Sequence, residues 1–217
     1  MRILKVLSLL LSYPDGTIAA ALPEIEAEIA ACTPLPEPLR RSLARLAHEL
    51  ATDDLITVQE RYVALFDQTR SLSLHLFEHV LGESRDRGQA LVDLRHFYER
   101  HEMQIAVSEL PDYLPLALEF ASLLDGNEAL ELLGGMRGIL ASLAERLARR
   151  RSPYAAVLQA AVALAGPERA PVPLASPSEE PVSGPALDRV WEEEPVSFRD
   201  ARSPAVRRGP LPPVKGC

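Results

Sequence analysis

The chain has 217 residues, and 47% of them are hydrophobic, which is enough for one domain with a substantial buried core. Its 31 acidic and 23 basic residues give a net charge of −8, which disfavours nucleic acid and anionic lipid as partners and favours basic peptides. Only two cysteines are present, so the composition excludes a disulfide framework and a cysteine-rich metal site and fits a reducing compartment.

The first predicted element is a helix at the N-terminus. Arg2 and Lys5 precede an apolar run over residues 6–11, a pattern that secretory signals also show. The run is short and is followed at once by Tyr13 and Pro14, so we interpret it as a core helix of a cytoplasmic protein. No stretch reaches the roughly 18 apolar residues that a bilayer span needs, and we expect no stable membrane association.

Five further stretches place apolar residues on one face of a helix with 3.6 residues per turn. No stretch alternates as a half-buried strand does, so the predicted fold class is all-α, a single helical bundle. The apolar positions are Leu39, Leu43, Leu46, Ala47 and Leu50; Leu55, Val58, Tyr62, Leu65 and Phe66; Leu91, Leu94, Phe97 and Tyr98; Leu114, Ala117, Leu118, Ala121 and Leu124; and Met136, Ile139, Leu140, Leu143 and Leu147.

Two of these helices have further signals. Asp53 or Asp54 is suited to cap the helix that begins near Leu55, and Pro111 suits the first turn of the helix through Leu114. That later helix has a second apolar face, formed by Leu116, Phe120 and Leu123. A helix that is apolar on both sides belongs in the middle of a bundle.

The composition changes sharply near Gly166, because eleven of the nineteen prolines lie at or after Pro167. We therefore predict a helical domain over residues 1–165 and a proline-rich, largely disordered tail over residues 166–217. Residues 187–198 of the tail contain the only tryptophan, Trp191, among glutamates. This segment is either part of a disordered tail or a short element that docks on its own domain or on a partner.

A possible catalytic motif is His75-Leu76-Phe77-Glu78-His79, which matches the H-x-x-E-H pattern of some zinc proteases. On an α-helix the two histidines would share a face and reach one metal ion, and Glu78 would polarise a bound water. Too many glutamates could serve as the third ligand to single one out, and so short a pattern also arises by chance. A zinc-dependent hydrolase is therefore the alternative function, and we expect no metal or other cofactor.

Two charged segments are candidates for a binding surface. Arg85, Asp86 and Arg87 follow the histidines, and the arginines are placed to pair with nearby acids such as Glu78 or Asp112. The segment over residues 109–115 has two acids, Glu109 and Asp112, beside Tyr113 and two prolines. These acids are suited either to cap a helix or to form an anionic rim that receives a basic peptide.

Three ordered motifs resemble those of a known family. Residues 73–94 read SLHLFEHVLGESRDRGQALVDL, residues 62–67 read YVALFD, and residues 109–115 read ELPDYLP. Together they resemble the signature of the NarJ family of nitrate reductase assembly chaperones, within the TorD/DmsD/NarJ class. The opening LSYP at residues 11–14 and WEEEPVSF at residues 191–198 are also similar to that family. One departure is Tyr113, which stands where the family usually has histidine.

The resemblance implies an all-helical, TorD-like fold and a binding role without catalytic residues. The implied partner is the catalytic subunit of respiratory nitrate reductase, bound at its N-terminal leader peptide while the molybdenum cofactor is inserted and before membrane attachment. An amphipathic basic leader would fold as a helix into an apolar groove with an anionic rim. The expected client-binding residues are Tyr62, Phe66, His75, Glu78, His79, Arg85, Asp86, Arg87, Glu109, Asp112 and Tyr113.

Overall fold

The computed structural model describes residues 1–82, 84, 86–105 and 109–166, and these residues form eight α-helices and no β-strand. The all-α prediction is thus confirmed, while the predicted tail beyond Gly166 lies outside the described residues. The helices are α1 (Arg2–Leu11), α2 (Thr17–Ala31), α3 (Glu37–Thr52), α4 (Leu55–Phe66), α5 (Asp86–Arg100), α6 (Leu114–Leu123), α7 (Gly126–Arg149) and α8 (Ala155–Leu164). Two short 3-10 turns, Arg70–Leu72 and Leu76–Glu78, lie between α4 and α5.

Helix α1 forms the centre of the bundle, as its apolar run predicts. Leu4, Leu7, Leu10 and Leu11 are fully buried, and the helix contacts α2, α3, α6 and α8. This burial on several sides explains why a run that resembles a signal peptide is a core helix instead. None of the helices in the described ranges is long and apolar enough to cross a membrane.

Helix α4 begins where the sequence indicates. The Asp54 carboxylate accepts hydrogen bonds from the backbone N–H of Thr57 at 3.0 Å and from the Thr57 hydroxyl at 3.0 Å. This satisfies one of the unpaired donors at the helix start. The same helix buries Val58, Tyr62 and Phe66, which places the two aromatic rings against the core.

Helix α6 separates two apolar clusters, which agrees with its two predicted faces. Leu118 packs in the large core, whereas Leu116 and Phe120 pack with Tyr98 of α5 in a second cluster. Leu123 does not take part, since 70% of it is exposed at the end of the helix. The prediction that Pro111 lies in the first turn is wrong, because the helix begins at Leu114.

Helices α7 and α8 pack against each other as an antiparallel pair joined by a tight turn. The Asp125 carboxylate caps α7 by accepting the backbone N–H groups of Asn127 and Glu128 at 2.9 and 2.8 Å. The turn requires a left-handed backbone at Arg151, whose φ is 56°. It brings Tyr154 back against α4, where its ring meets Phe66 at a centroid distance of 5.1 Å.

Candidate functional site

The histidine-containing segment is extended at His75, forms a 3-10 turn over Leu76–Glu78, and is attached to the start of α6. The backbone N–H of Leu76 donates to the Asp112 carbonyl at 2.9 Å, and the N–H of Leu114 donates to the Leu74 carbonyl at 2.8 Å. These bonds pair His75 with Tyr113 as an isolated antiparallel bridge. The premise that His75 and His79 share one face of an α-helix is therefore wrong. The backbone at His75 pairs with Tyr113 before α6, and only Leu76–Glu78 form a short 3-10 turn.

Asp112 is the buried centre of this region. The side chain is 0% exposed. It accepts a hydrogen bond from the backbone N–H of Phe77 at 3.1 Å, and its other oxygen lies 3.2 Å from Nδ1 of His75. Arg87 of α5 lies 4.0 Å from the same carboxylate and 3.4 Å from Glu78. Both interpretations of Asp112, a helix cap and an exposed anionic rim, are therefore wrong, because the carboxylate is buried and its partners are the Phe77 N–H and His75, not the start of α6.

The two histidines have different surroundings and different pKa directions. The hydrogen bond with Asp112 raises the pKa of His75 above its ordinary value. Burial lowers the pKa of His79, whose Nε2 lies 2.7 Å from the Ser73 carbonyl and is positioned to donate to it. In the described ranges, no group of three or more histidine, cysteine or acidic side chains is arranged to hold a metal ion. Each imidazole instead has its own protein partner.

His75 also lines a pocket of about 180 Å³. Its lining is mainly aromatic, with one carboxylate, and consists of Tyr13, Tyr62, Phe66, Asp67, Leu74, His75 and Tyr113. The Tyr62 hydroxyl donates to the Leu11 carbonyl at 3.0 Å and lies 3.0 Å from the Tyr113 hydroxyl. The rings of Tyr13 and Tyr62 meet edge to face at 5.5 Å, so the pocket walls are fixed by contacts from α1, α4 and α6.

The mouth of this aromatic pocket is negatively charged. Tyr13 is 48% exposed there, and Asp67 is exposed at the end of α4. Burial raises the pKa of the Tyr113 hydroxyl, the hydrogen bond with Tyr62 lowers it, and the charges of Glu109 and Asp67 raise it. Asp67 lines the pocket, so the pocket combines aromatic rings with a carboxylate, which suits a cationic side chain.

Comparison with known proteins places the chain in a family. Residues 32–160 match the family model described as nitrate reductase delta subunit. The chain belongs to this family. Over 199 residues it is 42% identical to the nitrate reductase molybdenum cofactor assembly chaperone NarJ of Escherichia coli K12. This match covers 90% of this chain and 84% of that protein.

Two other relatives are similar to this chain over most of their length. The probable nitrate reductase molybdenum cofactor assembly chaperone NarW of Escherichia coli K12 is 39% identical to this chain. The matched region covers 97% of this chain and 90% of the length of NarW. The probable nitrate reductase molybdenum cofactor assembly chaperone NarJ of Bacillus subtilis strain 168 is 33% identical to this chain. The matched region covers 73% of this chain and 85% of the length of that protein. The resemblance drawn from the motifs is thus confirmed at the level of the family.

The structure brings together only part of the predicted client-binding set. Tyr62, Phe66, His75 and Tyr113 line the aromatic pocket, and Glu109 lies close enough to act on it. Glu78, Arg87 and Asp112 form the charged layer behind His75, whereas the His79 ring turns towards Ser73. Asp86 is exposed in the first turn of α5, and Arg85 lies outside the described residues.

Three pocket residues are absent from the predicted set, namely Tyr13, Asp67 and Leu74. Each lies within a stretch that resembles the delta subunit family: Tyr13 in LSYP, Asp67 at the end of YVALFD, and Leu74 in the long motif. The signal was therefore present in the sequence. It could not be assigned to a pocket, because nothing in the local pattern shows that residues 13, 67 and 113 meet.

Proposed function

We propose that this chain is a chaperone that binds the apo catalytic subunit of respiratory nitrate reductase. Binding keeps that subunit competent for insertion of the molybdenum cofactor and for assembly, before the complex attaches to the membrane. Family membership supports this role, as do the names of relatives that match 90% and 97% of the chain. We propose that the chain acts in the cytoplasm and that it binds its client without catalysing a reaction. We propose no nucleic acid as a partner.

We propose that the contact is made with the N-terminal leader of that subunit, at the aromatic pocket. The observation that carries this proposal is the combination of Tyr13, Tyr62 and Phe66 with the carboxylate of Asp67 in one open pocket. Aromatic faces attract a cation by about 0.5–2 kcal/mol, and the acid adds charge complementarity. A basic side chain of the leader enters the pocket while apolar residues of the leader pack beside it.

The charged layer behind the pocket acts by positioning. Asp112 holds the loop at His75 and Phe77, and Arg87 ties that loop to α5. A leader that becomes ordered on binding loses conformational entropy, so the affinity is lower than the contact area suggests. Such moderate affinity suits a partner that is released once the client is complete.

The client is identified by purifying the full chain from cells that express nitrate reductase during anaerobic growth. We expect mass spectrometry to find the apo catalytic subunit, and deletion of the leader to reduce its recovery strongly. Removal of the membrane subunit serves as the control, because it should leave recovery unchanged. Absence of the catalytic subunit from the purified chaperone would contradict the proposed function.

The zinc hydrolase alternative is tested by metal analysis of protein purified without an affinity tag. The backbone at the motif favours the binding role, since His75 and His79 do not share a face of an α-helix and no group of three metal-binding side chains occurs in the described ranges. Stoichiometric zinc that disappears on His75→Ala would instead support the hydrolase. His101→Ala is the matched control, because that histidine lies at the end of α5 outside the motif.

A further inference from the structure

An open groove runs along the pair of helices α7 and α8, and it shares no lining residue with the aromatic pocket. Its volume is about 670 Å³. The apolar part of its lining consists of small residues from both helices, namely Ala141, Ala144, Ala148, Val162, Ala163 and Gly166. The distance at which two helices pack depends on the side chains at their contact, so a wall of small residues lets another helix approach closely.

Three polar side chains also line the groove, Arg137 and Glu145 from α7 and Gln159 from α8. Arg137 is partly buried, and among the residues that the structure describes it has no hydrogen bond or ion pair. Glu145 is exposed and pairs with Arg149 one turn later on the same helix. Partial burial of an unpaired guanidinium is unfavourable, so the groove indicates a partner that brings a carboxylate to Arg137.

The positions of the two charges make this face of α7 complementary to itself. Arg137 lies four residues before Ala141 and Glu145 lies four residues after it, so the three side chains share one side of the helix. If two such helices pack antiparallel about a two-fold axis at Ala141, Arg137 of each copy faces Glu145 of the other. Within one chain the two residues are separated by about 12 Å of helix rise, and the structure shows no ion pair between them among the described residues.

The centre of this face is free to receive a second helix. Ala141 is exposed, as are Gly138 and Ala148 on either side of it. A Cβ atom added at Gly138 would meet no heavy atom of the described residues within 4 Å. Glycine and alanine at the contact allow two helices to pack near the lower end of the usual interaxial range of about 8–10 Å. The longer charged side chains then meet at the flanks of the contact.

We propose that this groove is an interface between two copies of the chain, in which α7 of one copy packs antiparallel on α7 of the other. Charge complementarity identifies the occupant, because the second copy supplies a carboxylate for the unpaired Arg137 and a face of matching small residues. The two-fold axis makes the Arg137–Glu145 ion pair form twice. Since the groove and the aromatic pocket have no residue in common, the inference goes beyond the proposed chaperone function and does not depend on it.

Sedimentation equilibrium of the full chain over a series of concentrations tests for the second copy. We expect a monomer–dimer equilibrium with a dissociation constant on the order of 10–100 μM, because one pair of helices makes a small interface. A monomer mass that stays constant up to about 1 mM, ten-fold above that range, would overturn the proposal.

Exchange of the two charges tests the predicted ion pair. Arg137→Glu and Glu145→Arg each place like charges opposite one another at both ion pairs, so each should weaken dimerisation at least roughly ten-fold. The double variant restores opposite charges and should dimerise within about three-fold of the wild type. Exchange of Arg95 and Glu99, which form an ion pair on α5, is the control and should have no effect. Unchanged dimerisation of the single variants, or no rescue in the double variant, would contradict the pairing.

A cysteine at the proposed axis distinguishes a second copy from other occupants. In a chain with Cys217→Ser, Ala141→Cys places two thiols together at the axis, where a disulfide needs Cα atoms within about 7 Å of each other. We expect mild oxidation to give a covalent dimer, whereas Ala20→Cys on the exposed side of α2 should give far less. The remaining Cys32 is buried and does not interfere.

Two results of this experiment would each overturn the second copy as the occupant. If the chain stays monomeric and the introduced thiol is protected from iodoacetamide, another segment of the same chain covers the groove. If the chain stays monomeric and the thiol reacts freely, the groove is open in the free protein and any occupant is a different protein. Neither measurement involves a client, so the outcome is separate from that of the proposed function.

Discussion

At the scale of single residues, a buried carboxylate organises the candidate site. Asp112 accepts the Phe77 N–H and pairs with His75, while Arg87 lies at 4.0 Å. The sequence shows an acid between a proline and an aromatic residue, which is equally typical of a helix cap or an exposed rim. Whether the carboxylate turns outward or reaches back to a loop 35 residues earlier depends on tertiary contacts that the local pattern does not contain.

Replacement of Asp112 by alanine should destabilise the fold. The change leaves the Phe77 N–H unpaired and removes the partner of His75, which together cost about 3 kcal/mol in the free energy of unfolding. Denaturant unfolding followed by circular dichroism measures this. Glu109→Ala, which removes a nearby but exposed acid, should change the free energy by less than about 0.5 kcal/mol. Equal effects of the two variants would contradict the buried role of Asp112.

The two histidines should affect the pH dependence of stability in opposite directions. The raised pKa of His75 means that its contribution is present below the unfolded-state pKa and is lost as the pH rises through the folded-state pKa. The lowered pKa of His79 means that its contribution is present above the unfolded-state pKa and is lost as the pH falls through the folded-state pKa.

The check is the difference in unfolding free energy between the wild type and each glutamine variant, from about pH 5 to pH 8. For His75→Gln the loss of stability should be greatest at the acidic end. For His79→Gln it should be greatest at the basic end. If the loss of stability changed with pH in the same direction for both variants, the surroundings of the two histidines would not differ as described.

At the scale of elements, six of the eight described helices were predicted, whereas α2, α8 and the loop between α4 and α5 were not. Periodic apolar residues predict α3, α4, α5, α6 and α7, because a helix that packs on a core has apolar residues at helical spacing, and an apolar run predicts α1. The H-x-x-E-H spacing suggests one more helix, but the backbone from Leu74 to Leu76 bonds to the start of α6 instead. A five-residue pattern cannot show this competition between a local helix and a distant partner.

Helix α6 gives a direct test of the two-sided packing. Leu118 is fully buried, whereas Leu123 of the same helix is 70% exposed. Leu118→Ala should lower the free energy of unfolding by about 2–5 kcal/mol, because a buried cavity remains, and Leu123→Ala should lower it by less than about 0.5 kcal/mol. Thermal or denaturant unfolding of the two variants checks this, and similar losses would contradict the position of α6 inside the bundle.

At the scale of the whole molecule, the aromatic pocket is formed by distant parts of the sequence. Tyr13 follows α1, Asp67 follows α4, and Tyr113 precedes α6. The motifs that resemble the delta subunit family contain all three residues, but only Tyr113 was predicted as a client-binding residue. The local pattern could not predict the pocket, because its geometry depends on the packing of α1 between α2, α6 and α8.

The most direct test is calorimetry with a peptide of the N-terminal leader of the nitrate reductase catalytic subunit. The wild type should bind it, and Asp67→Asn should weaken binding roughly three- to ten-fold, since one charge interaction at the pocket mouth is lost. Glu131→Gln, which removes an equal charge from the exposed face of α7, should bind as the wild type does. Absence of peptide binding by the folded wild type, or equal affinities of the Asp67→Asn variant and the wild type, would contradict leader recognition at this pocket.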